Sequence, residues 1–269
     1  MSVATPPRAP ASPRVIYQQP ELLSETSTRY CPGCGHGIIH RLIAEVLGEL
    51  GLGPRTIAVA PVGCAVFAYD YLLLDFVEAP HGRAPAVATG IRRVRPDNFV
   101  LMYQGDGDLA AIGTAEIVHA AARGERITGI FVNNGIYGMT GGQMAPTTLL
   151  GQRTTSSPTG REASLAGYPI RITEMLAQLP GTAYAARGTI IDPSSVGKTK
   201  AMIKRACQVQ LEGTGFALVE ILSNCPVGWG LTAQQSMDHI RAEVIPAYPL
   251  GVIIDRGKRA VAPTSGGEG

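Results

Sequence analysis

Two aspartates and two asparagines close two short apolar runs near the middle of this 269-residue chain. Gly105-Asp106-Gly107-Asp108 follows the run from Phe99 to Tyr103, and Asn133-Asn134 follows the run from Ile127 to Val132. The stretch between, Leu109 to Ala122, suits a helix, so the three pieces read as one βαβ unit. Both turns then emerge at the carboxyl edge of a parallel sheet, where doubly wound folds bind their ligands. The first turn also satisfies G-x-G-x-x-A, a dinucleotide fingerprint, but two carboxylates there would repel a pyrophosphate. The acid that fingerprint expects after the second strand is missing, since asparagines stand in its place. A divalent cation resolves the conflict: Asp106 and one Asn amide oxygen are hard ligands for Mg²⁺, and the ion recruits a diphosphate. Spacing alone does not choose between Asn133 and Asn134, and a turn-rich loop without a ligand is the plain alternative.

Four of the five cysteines fall at the same edge. Cys31 and Cys34 form a C-x-x-C just ahead of a helix marked by Ile38, Leu42, Ile43, Val46 and Leu50, with Gly51 as its stop. Cys64 follows a strand from Thr56 to Ala60, and Cys225 follows a β run from Phe216 to Leu222. A helix N-terminus at the C-x-x-C is expected to lower the thiol pKa, which suits ligand thiolates and redox thiols equally. Four thiolates there can hold one metal centre, either tetrahedral zinc or an iron-sulfur cluster with one thiolate per iron. A thioredoxin-like pair would leave Cys64 and Cys225 unexplained. Cys207 shares a helical stripe with Met202, Ile203, Ala206 and Leu211 and reads as core.

The elements that must position these residues suggest an α/β fold with a doubly wound, mostly parallel sheet. A helix is expected from Ala65 to Phe76, a loop and a short helix from His81 to Pro96, and a functional loop over the ligand from Gly138 to Gly160. His81 and Arg83 could meet an anionic ligand, although a capping histidine and a solvated arginine fit the residue types as well. Further on come a short helix from Arg171 to Leu179, a strand from Thr182 to Ala186 and a helix capped by Ser194 that reaches Leu211. Residues 1–20 read as a loose or partner-hugging tail, 21–256 as one domain and 257–269 as a second loose tail. A 45% hydrophobic content supports a full core, and the net charge of +2 without a basic run points to neither nucleic acid nor an anionic membrane surface. No apolar stretch is long enough to span a bilayer, and Pro6, Pro7, Pro10 and Pro13 occupy the place of a signal peptide's apolar region, so the chain reads as cytoplasmic. An odd cysteine count without secretory context argues for metal or redox use.

The pair formed by Gly105-Asp106-Gly107 and Asn133-Asn134 resembles the thiamine diphosphate motif shared by decarboxylases, transketolases and 2-oxoacid oxidoreductases. The wider set TRYCPGCGHGIIHRL, APVGCAVFAYDY, YQGDGDLAAIGTAEI, VNNGIYGMTGGQMAPTT and LVEILSNCP resembles the β subunit of 2-oxoacid:ferredoxin oxidoreductases, most nearly the 2-oxoisovalerate (branched-chain) type, over about Thr28 to Pro249. That resemblance implies the sheet of the diphosphate-binding domain type and an enzyme oxidising the oxo group of a 2-oxoacid with an iron-sulfur protein as acceptor. It implies Asp106, the Asn134 side chain and the Ile136 carbonyl as Mg²⁺ ligands, with Gly105, Gly107, Asp108, Gly63, Cys64, His36 and Thr140 around thiamine diphosphate. It decides the cysteine set for a [4Fe-4S] cluster on Cys31, Cys34, Cys64 and Cys225. Thiamine diphosphate supplies a carbanion that attacks the keto carbon and stabilises the carbanion left by CO₂ loss. Electrons would pass singly to the cluster and on to ferredoxin, and coenzyme A would take the acyl group. The activating glutamate is expected from an α subunit with a pyrimidine-binding domain, leaving no catalytic residue assigned here and room for γ and δ subunits. Relatives acting on 2-oxoglutarate tend to carry a basic residue just after the third cluster cysteine. Ala65, Val66 and Phe67 stand there, which implies an apolar substrate side chain. The alternatives are a 2-oxoglutarate or pyruvate member, a non-redox thiamine decarboxylase, and a colourless zinc-stabilised nucleotide-binding module.

Overall fold

The computed structural model describes residues 15–258, and the parts of the two expected tails before and after them lie outside the described residues. Its strands are β1 (Thr56–Ala60), β2 (Asp75–Glu78), β3 (Phe99–Gly105), β4 (Thr128–Asn133), β5 (Ile136–Tyr137), β6 (Gln143–Met144), β7 (Thr182–Thr189), β8 (Phe216–Leu222) and β9 (Gly251–Asp255). Seven of them form one sheet in the order β2-β1-β3-β4-β8-β7-β9, while β5 and β6 make a small antiparallel hairpin. Every pairing in the large sheet is parallel except that of the edge strand β9 with β7. This is the expected α/β sheet, mostly parallel and covered on both faces.

The central strands lack alternation because both of their faces are buried. Phe99, Leu101, Tyr103, Ile130, Val132, Val219 and Ile221 join one hydrophobic cluster beneath the helices His36–Glu49 and Pro193–Leu211. Val100, Met102, Phe131, Phe216 and Leu218 join a second beneath Ala84–Val94, Thr114–Ala122 and Ile172–Ala177. Register sets Gly105 against Val132, so the turns after β3 and β4 leave the sheet side by side, as the βαβ reading requires.

Several local expectations change. The helix expected from Ala65 to Phe76 is a short 3₁₀ turn, Cys64–Phe67, and one helical turn, Ala68–Tyr71; the chain then pairs as β2. This four-residue edge strand is mostly exposed and so has no apolar alternation to reveal it. The helix after β3 begins with a π-type turn, Asp108–Ile112, the kind of irregularity that gathers at functional sites. Asp192, not Ser194, caps the helix Pro193–Leu211, in a reciprocal box with Ser195. The helices Pro226–Trp229 and Ala233–His239 and the strand β9 were not anticipated; with Leu222, Ile240, Val244 and Tyr248 as its core, this C-terminal part packs as a third cluster.

An ion pair crosses the sheet interior. Arg187 Nε donates to Glu220 Oε2 at 2.8 Å, and the Arg187 fork donates to Glu174 at 2.8 and 2.6 Å. Glu220 also accepts from Thr173 Oγ1 at 2.5 Å and from Asn133 Nδ2 at 2.7 Å. Arg187 and Glu220 are each 1% exposed, so either left alone would be an uncompensated buried charge. Arg187→Ala is therefore expected to lower the unfolding free energy by about 3–5 kcal/mol in urea denaturation. An unchanged transition would show that the pair does not support the fold.

Candidate functional site

The carboxyl ends of β1, β2, β3 and β4 open onto one cavity of about 130 Å³. All ten residues expected around the cofactor line it: His36 from the start of its helix, Gly63 and Cys64 after β1, Gly105 to Asp108 after β3, and Asn134, Ile136 and Thr140 after β4. Ala65, His81, Tyr137 and Met139 complete much of the wall.

Asp106 is buried, and its carboxylate is partly satisfied. Gly107 N donates to Oδ1 at 2.9 Å, while Gly135 N and Thr147 Oγ1 donate to Oδ2 at 2.7 and 2.6 Å. Three donors leave a lone pair on Oδ1. Burial pushes the carboxyl up to about 6 despite the hydrogen bonds from Thr147, Gly107 and Gly135, as expected of an acid short of a counter-charge. A divalent cation would supply that charge, so this donor set fits Mg²⁺. Thr147, which the sequence placed only within a broad functional loop, is thereby a member of the site. Its loop is stapled by Arg161, whose guanidinium donates to the carbonyls of Ala145, Pro146, Thr148, Ala166, Gly167 and Tyr168.

The two asparagines have different jobs. Asn133 is buried, donating to Glu220 and accepting from Gly135 N at 3.2 Å, so it ties the turn to the core. Asn134 lines the cavity; its Oδ1 accepts from Ile136 N at 3.2 Å, and its carbonyl accepts from Trp229 Nε1 at 3.1 Å. Asp108 also lines the cavity, but its carboxylate is engaged by other parts of the chain. Its Oδ1 meets His81 Nδ1 and Gly82 N, and its Oδ2 accepts from Gln104 Nε2. Of the two candidates for an anionic ligand, only His81 lines the cavity. Arg83 pairs with Glu116 and the Ile112 carbonyl. His36 bonds Tyr103 through Nδ1, stacks on Tyr30 at 4.8 Å, and is pushed down to about 4 by burial.

The four cysteines converge beside this cavity. Cys34 feels the charges of Cys64 and Cys31, Cys64 those of Cys225 and Cys31, and Cys225 those of Cys34 and Cys31. Cys64 and Cys225 flank Gly138, where a Cβ would stand 3.5 and 3.2 Å from their sulfurs, so no side chain fits between them without a shift. The expected lowering of thiol pKa is outweighed. Backbone N–H groups of His36 and Gly228 do favour the thiolates of Cys34 and Cys225, but burial pushes Cys34, Cys64 and Cys225 each up to about 11. Buried thiols gathered in this way become thiolates when cationic metal compensates them. Among the described residues, no three His, Cys, Asp or Glu side chains close on a single ion position. Cys207 sits apart in the core, pushed up to about 12 by burial, as its helical stripe suggested.

The profile of the thiamine pyrophosphate enzyme C-terminal TPP binding domain matches residues 61–221. The chain is 45% identical over 249 residues to the ketoisovalerate oxidoreductase subunit VorA of Methanothermobacter thermautotrophicus, covering 93% of this chain and 52% of the relative. It thus spans about half the length of that relative. The 2-oxoglutarate synthase subunit KorB of Methanocaldococcus jannaschii is 38% identical over 205 residues, 75% of this chain and 70% of the relative. A solved 2-oxoglutarate:ferredoxin oxidoreductase from Magnetococcus marinus, with 2-oxoglutarate, coenzyme A and succinyl-CoA bound, matches with a TM-score of 0.73 at 27% identity, over 93% of this chain and 87% of that one.

The geometry separates three variants. Asp106→Asn and Asn134→Ala are each expected to weaken Mg²⁺-dependent thiamine diphosphate binding by at least about 10–100-fold in calorimetry, with little change in urea unfolding. Asn133→Ala leaves Glu220 Oε1 unpaired in the core, so its expected cost is about 1–3 kcal/mol of stability. Equal cofactor titrations for all three and the unsubstituted chain would overturn the ligand assignment.

Proposed function

We propose that this chain, which belongs to the thiamine pyrophosphate enzymes and among them to the 2-oxoacid:ferredoxin oxidoreductases, is the subunit that carries thiamine diphosphate, Mg²⁺ and one [4Fe-4S] cluster. It serves the oxidative decarboxylation of a 2-oxoacid with coenzyme A to an acyl-CoA, CO₂ and reduced ferredoxin. The observation that carries the reading is the position of Cys64, which lines the cofactor cavity and also belongs to the four-thiol set. Thiamine diphosphate, when bound, supplies the carbon nucleophile and electron sink for decarboxylation. Asp106, Asn134 and the Ile136 carbonyl would hold Mg²⁺, and Cys31, Cys34, Cys64 and Cys225 would hold the cluster, which would supply a one-electron acceptor next to the cavity wall at Cys64.

A cluster is favoured over zinc by the chain's membership of the 2-oxoacid:ferredoxin oxidoreductases, whose chemistry moves single electrons that zinc cannot carry. Anaerobically purified protein should show a visible absorption band bleached by dithionite and an EPR signal on reduction. A colourless protein containing zinc would overturn the cluster. Cys225→Ala is expected to lose the iron and Cys207→Ala to keep it, and iron analysis giving the reverse would show the ligand set to be wrong. All five cysteines are free, which agrees with the cytoplasmic location included in this proposal.

The cavity is incomplete as a catalyst. Among the described residues lining it there is no glutamate. Glu45 and Glu49 pair with Lys200, Glu116 with Arg83, and Glu220 with Arg187. The activating glutamate therefore comes from an α subunit whose pyrimidine-binding domain closes the site. The same walls contain no lysine or arginine, and Ala65 follows Cys64 into the cavity. An apolar side chain suits that surface, since an unpaired second carboxylate would be costly to bury. The assembled enzyme is expected to show a higher kcat/KM for 2-oxoisovalerate than for 2-oxoglutarate, with the isolated chain inactive on both. The opposite preference would overturn the substrate class, and full activity of the isolated chain would overturn the need for a partner.

A further inference from the structure

His81 is the one cavity histidine that the reading above leaves without a task. It enters the wall from the turn after β2, and its Nδ1 lies 2.5 Å from Asp108 Oδ1. Gly82 N donates to the same oxygen at 2.8 Å, and Gln104 Nε2 donates to Oδ2. This buried carboxylate takes all three of these donors from the protein, and its oxygen fixes His81 Nδ1 as a donor. Nε2 is the ring nitrogen left over; it has no partner among the described residues, and 34% of the side chain is open.

The turn holds the ring where it is. Gly82 has φ +78°, and a Cβ there would stand 2.7 Å from Gly113 N and from the Ile112 carbonyl carbon. Arg83 adds its tie to Glu116 and Ile112. A histidine clamped by backbone packing and by a buried carboxylate, with one nitrogen left to a ligand cavity, is placed for use. The described walls offer no lysine or arginine, and the other wall histidine, His36, is buried against Tyr103. The reactants proposed for this cavity are rich in anionic oxygen. We infer that His81, taking up a proton from solvent at Nε2 as the ligand binds, donates Nε2–H to an anionic oxygen of the reactants, either of the cofactor diphosphate or of the 2-oxoacid carboxylate, with Asp108 as the positioning residue that holds Nδ1–H.

The inference rests on the cavity being a thiamine diphosphate site, so the unsubstituted assembled enzyme is titrated first with thiamine diphosphate and Mg²⁺. Absence of binding there overturns both statements. Against that control, His81→Ala is expected to raise either the calorimetric Kd of thiamine diphosphate, which identifies the diphosphate, or the KM of the 2-oxoacid at unchanged cofactor Kd, which identifies the carboxylate. The expected change is about 10–100-fold, that of one charge-assisted hydrogen bond. His81→Gln keeps an N–H donor and should recover most of the loss, and Asp108→Asn should move the same constant in the same direction. Loss of kcat alone, with both binding constants unchanged, or a His81→Gln variant as defective in binding as His81→Ala, would overturn the inference while leaving the cofactor site standing.

Discussion

A carboxylate taken out of water has to be paired, and the carboxyl edge of this sheet is organised by three that are buried: Asp106, Asp108 and Glu220. Each recruits a different part of the chain. Glu220 draws in Arg187, Thr173 and Asn133, and Asn133 in turn holds Gly135 N. Asp108 draws in His81, Gly82 and Gln104, which fastens the turn after β2 to the turn after β3. Asp106 takes Gly107, Gly135 and Thr147, and Thr147 is fixed from behind by Tyr248, whose hydroxyl donates to its carbonyl at 2.9 Å. Segments remote in sequence meet here because each carboxylate needs donors that its own strand cannot provide. Only Asp106 has neither a guanidinium nor an imidazole beside its carboxylate, and that deficit sets it apart from Asp108 and Glu220.

The thiols obey a related balance with a different sign of outcome. Helix starts at Cys34 and Cys225 do present N–H groups to sulfur, an effect on the scale of a fraction of a kcal/mol to about 2 kcal/mol. Loss of solvent around these half-buried sulfurs outweighs it, and Cys34, Cys64 and Cys225 are pushed up to about 11. A thioredoxin-like reading of the C-x-x-C leaves Cys64 and Cys225, which lie beside it, without a role.

What the sequence revealed follows from where burial imposes a pattern. β3 and β4 are covered on both faces, so their apolar runs and the acidic and amide turns that end them were readable directly. β2 is exposed at the sheet edge, and its Leu72-Leu73-Leu74 approach imitates a helix; no local pattern could distinguish them. The C-terminal helices were partly legible, since Thr232 and Gln235 form a capping box that a closer scan for start signals would have found. The aim of Asp108 and the role of Thr147 were not legible, because both depend on contacts between segments 26 to 41 residues apart. Likewise the separate tasks of Asn133 and Asn134 are decided by strand direction at the end of β4, where one side chain meets Glu220 in the core and its neighbour meets the cavity.

One sheet edge therefore combines two requirements that conflict elsewhere. A diphosphate with its cation needs polar backbone and carboxylate at close range, whereas a cluster needs thiolates in surroundings that keep water out. Gly138, with no side chain, passes beside the sulfurs of Cys64 and Cys225 and continues into the loop that lines the cavity, so the cavity and the thiols share a wall at Cys64. Met139, in the wall of this largely apolar cavity, is still 44% exposed, the kind of open apolar surface that is covered when a ligand site closes.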